Sequence, residues 1–297
     1  MQKRSSFVPN LPNCSIQLLK HIGVPVALFA LLLFGPLVFV VRAQSIESPS
    51  TLCETGCLLS PTGLIGWWTG DGTATDIQLG NNGVLMNGAA FAPGLVKQAF
   101  SLDGDDDFVD VADTPALHAI ATAVTIDAWI NPRTLSFGEG FVFARRDPLI
   151  SEGISLFINN DGYLRTQMQT GSVDFSEADS AAPVIRFNGQ WQHIAVTADT
   201  ATGQVALYLN GMAIPIMAIG SIGGHFASVS HLFIGRRQGL DTPEGAQGAL
   251  HYKGLIDEVE LYNRALSAAE VRAIYRVGRR GKCKPHLQTQ PDSLSER

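Results

Sequence analysis

The stretch VTIDAWINP, Val124 to Pro132, sets Val124, Ile126, Ala128 and Ile130 against Thr125, Asp127 and Trp129. Successive side chains of an extended chain point to opposite faces, so this period of two predicts a strand with one face on a hydrophobic core. Its neighbours repeat the signal. WQHIAVTAD and HLFIGRR are further β-rich runs, while ISLFINNDGYLRTQM and QVALYLNGMAI are each broken by one turn dipeptide, Asp161-Gly162 and Asn210-Gly211. Such dipeptides supply the positive φ angles of a tight hairpin. Only SAAEVRAIYRVG has a helical character, with Ser267 and Glu270 placed for a capping box and Gly278 for a stop. The pattern predicts one all-β domain over residues 60–280, a sandwich or jelly roll with a short C-terminal helix.

The chain has 297 residues, 45% of them hydrophobic, with 30 Gly and 15 Pro, enough for one large domain or two small ones with many turns. Its formal charge of −6 contains no long run of either sign, so the basic footprint of a nucleic-acid binder is missing. Arg145-Arg146, Arg236-Arg237 and Arg279-Arg280-Gly281-Lys282 read as solvated charge in loops.

The N-terminus is a separate object. Lys3, Arg4 and Lys20 precede the uncharged run Ile22 to Val41, about 20 apolar residues and long enough to cross a bilayer. Val41-Arg42-Ala43 then fits a signal-peptidase site, so residues 1–43 are either a signal peptide cut before Gln44 or a retained membrane anchor. Both fates put the rest of the chain, a 44–59 linker and the domain, outside the cytoplasm, secreted or at the cell surface, with this segment as its one membrane contact. Cysteine usage agrees with export. Cys14 lies in the targeting segment, and Cys53, Cys57 and Cys283 flank a long interval without cysteine, so a bond from the start of the domain to its end is the natural use of two of them. Neither CxxC pairs nor clustered histidines of a zinc site occur.

Five blocks carry a resemblance: GLIGWWTGDGTATDIQLGNNGVLMNGAAF, QAFSLDGDDDFVDVADTPAL, VTIDAWINP, GQWQHIAVTADTATGQVALYLNGM and YKGLIDEVELYNRALSAAEVRAIY. In this order, from Gly63 to Tyr275, they resemble the laminin-G-like (LamG-like, concanavalin A-like) jelly-roll family of exported bacterial proteins. The resemblance implies a concanavalin A-like β-sandwich whose two ends lie close together, and hence a bond between Cys57 and Cys283 with Cys53 left over, ahead of a polar tail over 281–297. Members of the fold include lectins, carbohydrate-binding modules, adhesion domains and some glycosidases, so fold alone does not choose among them.

Two segments suggest a metal. Asp76, Asn81 and Asn82, with the carbonyls beside Gly80 and Gly83, form a loop of hard oxygen atoms, the ligand type calcium prefers. In GLIDEVELY, alternation puts Leu255, Asp257, Val259 and Leu261 on one face and Ile256, Glu258, Glu260 and Tyr262 on the other, leaving Asp257 a carboxylate among aliphatic side chains. In the resembling family a calcium ion commonly joins the first loop to the last strand; carried over, its ligands are Asp76, Asn81 or Asn82, and Asp257, with Asp71 the next to add. The plainer reading is an Asx-turn plus an aspartate capping backbone amides. Asp103, Asp105, Asp106 and Asp107 read as a solvated hairpin tip, without the spacing of an EF-hand loop.

Catalysis finds little support. The jelly-roll glycosidases place acidic residues alternately on one strand, whereas here Glu258 and Glu260 share a face and Asp257 lies on the other. Trp67 and Trp68 must point to opposite faces, and Trp129 and Trp191 read as packing. Ala144 to Gly153 and Arg236 to Tyr252 are the candidate ligand rim, because binding chemistry sits on loops held by a rigid sandwich. The leading expectation is a noncatalytic extracellular recognition domain for a glycan or protein ligand, with a structural calcium site. A surface-displayed structural module and a glycoside hydrolase or lyase are the alternatives.

Overall fold

The computed structural model describes residues 57–135, 138–146, 153–169, 175–220, 226, 228–237 and 251–285. The apolar run Ile22 to Val41, Cys14, Cys53 and most of the two expected rim loops lie outside the described residues.

Two antiparallel sheets, each with eight strands among the described residues, pack face to face. The first contains β1 (Leu64–Trp68), β3 (Ala90–Pro93), β4 (Gln98–Asp103), β6 (Ala123–Pro132), β11 (Gln192–Asp199), β12 (Gln204–Leu209), β13 (Met212–Ile214) and β16 (Lys253–Tyr262). Its order is β13-β12-β11-β6-β16-β4-β3, with β1 also paired to β16. The second contains β2 (Gly83–Met86), β5 (Phe108–Val111), β7 (Glu139–Arg146), β8 (Gly153–Asn159), β9 (Leu164–Gln169), β10 (Phe175–Ser180), β14 (Ile216–Ile219) and β15 (Leu232–Ile234), in the order β14-β10-β9-β8-β7-β15-β5-β2. This is the expected jelly-roll sandwich. The single α-helix among the described residues, α1 (Ala268–Val277), starts on the reciprocal Ser267–Glu270 capping box.

The hairpins follow their turn chemistry. Asn210 and Gly211 both take positive φ, 50° and 74°, between β12 and β13, the pair of angles a two-residue turn needs to match strand twist.

The sandwich has two hydrophobic layers. Val124, Ile126, Ala128 and Ile130 of β6 enter the core between the sheets, as their alternation predicts, together with Trp68, Phe100, Leu156 and Val196. The opposite side of the first sheet forms a second core. There Trp67, Ala195, Tyr208 and Tyr262 pack under Val271, Ile274 and Val277 of α1. Both adjacent tryptophans are therefore fully buried, one on each side of the sheet.

One strand departs from simple alternation. Against β6, Asp257 pairs with Trp129 and Glu260 with Asp127, so Glu258 and Val259 together oppose Ala128 alone, and Glu258 takes a φ of 51°. This is a β-bulge. Ile256, Val259 and Leu261 face the inter-sheet core, so Asp257 shares the outer face with Glu258 and Glu260. The expectation that Asp257 points inward with Val259 and Leu261 is corrected: the extra residue shifts the alternation by one place.

The first and last segments of the described domain meet on that outer side. Leu58 and Lys282 form a parallel bridge, Cys283 N–H donates to the Leu58 carbonyl (2.8 Å), and Cys57 is disulfide-bonded to Cys283 across 226 positions. Gly281 and Lys282, in the segment read from sequence as a polar tail, are buried. Closing a loop of this size removes chain entropy from the unfolded state worth about 5 kcal/mol. The double variant Cys57→Ser, Cys283→Ser is expected to lose stability of that order, read as a lower urea midpoint; an unchanged midpoint would mean that the packed C-terminal segment needs no covalent tie.

Candidate functional site

The residues proposed for calcium form two hydrogen-bonded nests. Asp76 accepts five hydrogen bonds: from the amides of Trp67 (2.8 Å), Gln78 (2.9 Å), Leu79 (3.2 Å) and Asn81 (2.9 Å), and from Asn81 Nδ2 (2.8 Å). Asn82 Oδ1 accepts from the Asp76 amide (3.2 Å), Asn81 Oδ1 from the Thr114 hydroxyl (2.5 Å), and the Asn81 carbonyl from Trp68 Nε1 (2.8 Å). These loop oxygens already face N–H and O–H donors, which a cation would have to displace. They fit a hydrogen-bonded Asx-turn and do not fit a calcium ligand set. Asp257 Oδ2 separately accepts from the amides of Leu95 (2.8 Å) and Val96 (2.9 Å), while Oδ1 is buried without a partner. Burial pushes the Asp257 carboxyl up to about 8, with the like charge of Glu258 adding to it against the two amides.

The acidic side chains considered for catalysis are closed in. Glu258 Oε2 accepts from Trp67 Nε1 (2.7 Å), and its Oε1 is ion-paired with Lys284 (2.9 Å), which also meets Asp71 (2.5 Å). Glu260 accepts from the Tyr262 hydroxyl (2.5 Å) and is ion-paired with the buried Lys282. Beside them His193 Nε2 lies 3.4 Å from Asp127 Oδ1, and Trp129 stacks on Tyr275 at 5.6 Å. The space left among Asp127, Glu258, Glu260 and Lys282 is about 10 Å³. That is room for one water and for no sugar.

The outer face of the second sheet is different. Its registers align Phe141, Phe157, Arg165, Asp179 and Met217 in one row, and Ala144, Ser155, Gln167, Glu177 and Ile219 in the next. Arg146, Gly153 and Gln169 begin a third. The same strands send Ile154, Leu156, Ile158, Leu164 and Met168 into the core. Phe141 and Phe157 stack with ring centroids 4.4 Å apart, and the guanidiniums of Arg165 and Arg237 lie over them at 5.2 and 5.1 Å.

Above these rings the polar groups interlock. Arg165 Nη1 donates to Glu139 (2.7 Å), Nε to Asp179 (2.9 Å) and Nη2 to Glu177. Gln167 Nε2 donates to Glu177 Oε2 (3.0 Å) and its Oε1 accepts from Arg146 Nη1 (3.0 Å), while Arg146 Nη2 donates to Gln169 Oε1 (2.7 Å). Burial works against the Arg165 charge, and the carboxylates of Asp179, Glu177 and Glu139 outweigh it, so its pKa is raised. Burial, then the neighbouring Arg237, lowers that of Arg146. Arg165 and its three carboxylates keep 12–30% of their side-chain surface in solvent. Donors and acceptors are thus held in fixed directions at a wet surface.

Sequence reasoning missed this array. Arg145 and Arg146 are strand residues of β7: Arg145 is 1% exposed and donates to Asp113 (2.9 Å), while Arg146 joins the outer ladder. Arg237 lies over Phe141 and Arg236 over Phe108 (4.2 Å) and Phe233 (4.9 Å), so the reading of both pairs as loop charge is corrected. The usable signal was Arg165, Gln167 and Gln169 alternating with Leu164, Thr166 and Met168, followed by Glu177 and Asp179. Trp191, one of the aromatic candidates, is half-buried just before β11. A groove of about 610 Å³ also runs along β11, β12 and the start of α1. Its one charged lining residue, Asp199, caps the amides of Ala201 (2.8 Å) and Thr202 (3.4 Å).

The family model described as the concanavalin A-like lectin/glucanases superfamily matches residues 103–272. No curated protein matches the chain. Among solved structures, it is similar to domain 4 of AbnA, an extracellular arabinanase of Geobacillus stearothermophilus solved with arabinotriose, at 19% identity and TM-score 0.52 over 70% of this chain and 96% of that one. It is similar to the binding domain of Paraclostridial Mosquitocidal Protein 1 at 20% identity and TM-score 0.55, over 72% of this chain and 52% of that one. The binding domain of botulinum neurotoxin DC, solved with SialylT, is similar at 14% identity and TM-score 0.54, over 72% and 51%. The chain spans about half the length of these two toxin domains. At such identities the likeness is one of fold.

Two outcomes are expected from the nests. Asp76→Ala strands several buried donors and should cost roughly 3 kcal/mol, equally in EDTA and in millimolar calcium, as read by thermal melts; a loss seen only with calcium would restore the ion to this loop. Asp257 binds its proton more tightly folded than unfolded, so its contribution is full below the ordinary carboxyl range and is lost as pH rises through about 8. Asp257→Asn should therefore flatten the stability profile between about pH 4 and 8 and stabilise the protein by roughly 2 kcal/mol at the upper end, measured by urea unfolding across that range.

Proposed function

The chain belongs to the concanavalin A-like lectin/glucanases superfamily, and we propose that it is a noncatalytic recognition module that binds a glycan outside the cytoplasm on the outer face of its second sheet. The observation that carries this reading is the ladder of Arg146, Gln167, Gln169, Arg165, Glu177, Asp179 and Glu139, which is partly exposed apart from the buried Gln169. A sugar hydroxyl both donates and accepts, so it is matched by a surface where guanidinium and amide donors stand beside carboxylate acceptors. Because these groups hold one another in place, little side-chain entropy remains to be lost on binding. The two bound saccharides among the similar structures, arabinotriose and SialylT, support a glycan as the ligand class. The Cys57–Cys283 disulfide supports an oxidising compartment. The noncatalytic reading rests on the packing around Glu258 and Glu260, whose carboxylates are committed to Trp67, Lys284, Lys282 and Tyr262.

Binding to a glycan array and to immobilised neutral and acidic polysaccharides tests the reading. Gln167→Ala and Arg165→Ala are expected to weaken retention about tenfold each, the effect of losing one charge-assisted hydrogen bond. Asp199→Asn, in the groove beside α1, should leave it unchanged. Loss with Asp199→Asn and not with Gln167→Ala would move the ligand to the groove, and no retained glycan for the parent would end the proposal.

A further inference from the structure

The layer beneath α1 holds an amine and a carboxyl that the glycan face does not use. Lys282 Nζ meets Glu260 Oε1, and the two side chains are 3% and 1% exposed. An ammonium carries three N–H donors, each of which needs an acceptor once water is gone. Lys282 Nζ is nevertheless buried without a hydrogen bond, with the Trp67 ring 4.7 Å away. In a buried ion pair whose donors are unsatisfied, Coulomb attraction does not offset desolvation.

The surroundings suit a reaction between the two groups. Burial pulls the Lys282 amine down to about 8, against the attraction of Asp127 and Glu258, which brings its neutral, nucleophilic form within reach. Glu260 Oε2 accepts from the Tyr262 hydroxyl (2.5 Å), and burial pushes that phenol up, so it keeps its proton and can hold a developing oxyanion. Asp127 stands directly opposite Glu260 in the β6–β16 register, and its Oδ2 is buried without a partner, while its Oδ1 lies 3.4 Å from His193 Nε2. The space among Asp127, Glu258, Glu260 and Lys282 is about 10 Å³, enough for a single released water. Lys284 differs: it is 23% exposed and divides its charge between Glu258 and Asp71, as an ordinary ion pair does.

We propose that Lys282 and Glu260 condense into an intramolecular isopeptide bond, Nζ to Cδ, with Asp127 carrying the proton. Glu260 Oε1 takes one proton from the ammonium, which leaves an amine beside a carboxylic acid. Nζ then attacks Cδ, and negative charge moves onto Oε2 under the Tyr262 hydroxyl. Asp127 Oδ2 accepts the second proton from nitrogen and passes it to Oε1; the Cδ–Oε1 bond breaks and one water leaves. The amide keeps a single N–H, two buried charges disappear, and no oxidant, reductant or cofactor takes part. The bond closes a covalent loop that contains α1, so the C-terminal segment stays tied to the first sheet even when the neighbouring disulfide is reduced.

Intact-mass measurement of the purified chain, reduced and alkylated under denaturing conditions, tests this. The parent is expected to be lighter by one water than its sequence counted from its own N-terminal residue. Lys282→Arg, which keeps the charge, should have its full mass. Tryptic digestion of the parent should yield the peptide Gly254–Arg264 joined to the peptide that begins at Gly281. Asp127→Asn should form the link about a hundredfold more slowly, the effect of losing one proton carrier, read as the linked fraction at successive times after expression. A parent of full mass overturns the proposal. So does a water lost elsewhere, as in a succinimide at Asp161-Gly162, with Gly254–Arg264 recovered alone. Linking as fast in Asp127→Asn as in the parent overturns the role given to Asp127. Should that variant fail to fold, the mass and the joined peptide of the parent still decide.

Discussion

Lys282 and Lys284, on either side of Cys283, meet carboxylates that the first sheet would otherwise bury without compensation. Asp127, Glu258 and Glu260 all face the layer beneath α1, where unpaired charge is severely penalised. Desolvation pulls the Lys282 ammonium down to about 8 even so, against the attraction of Asp127 and Glu258. The arrangement holds because the disulfide keeps both lysines in position and the Trp67 ring lies 4.7 Å from Lys282 Nζ. Its consequence is architectural. With much of that side covered by the helix and the C-terminal segment, the surfaces left for a ligand among the described residues are the groove beside α1 and the wider outer side of the second sheet.

The fold was readable because burial imposes a period of two on every long strand. VTIDAWINP keeps that period without interruption, and each of its side chains lies on the side its parity assigns. GLIDEVELY does not, because a bulge inserts one residue at Glu258 and turns Asp257 away from the core. No local pattern announces the bulge. Glutamate at a φ of 51° is unfavourable in isolation, and it is held there by Trp67 and Lys284, which come from distant parts of the chain. An end-to-end bond was legible in the cysteine spacing, and its assignment to Cys57 and Cys283 was legible through the family resemblance.

The polar ladder was hidden for another reason. Arg145-Arg146 and Arg236-Arg237 look like charge pairs in a linear sequence, but a strand sends neighbours to opposite faces. Arg145 thus enters the interior against Asp113 and Arg146 joins the outer face. What unites Arg146 with Gln167, and Arg165 with Glu139, is sheet register across hairpins, and register is a tertiary property.

The form of this face constrains how it would recognise the proposed glycan. Phe141 and Phe157 are fully buried, so they hold arginines in place and offer no ring to a sugar. On the proposed reading, recognition would depend on the edges of guanidinium, amide and carboxylate groups, which are sensitive to the direction of each hydroxyl. Such contacts bury little apolar area, so they favour selectivity over tight binding: a ligand lacking one hydroxyl leaves a polar group unmatched, and the penalty falls on discrimination. On that reading, a weak, stereochemically selective surface on a rigid, disulfide-closed sandwich would suit repeated binding along a polymer better than capture of a single small molecule.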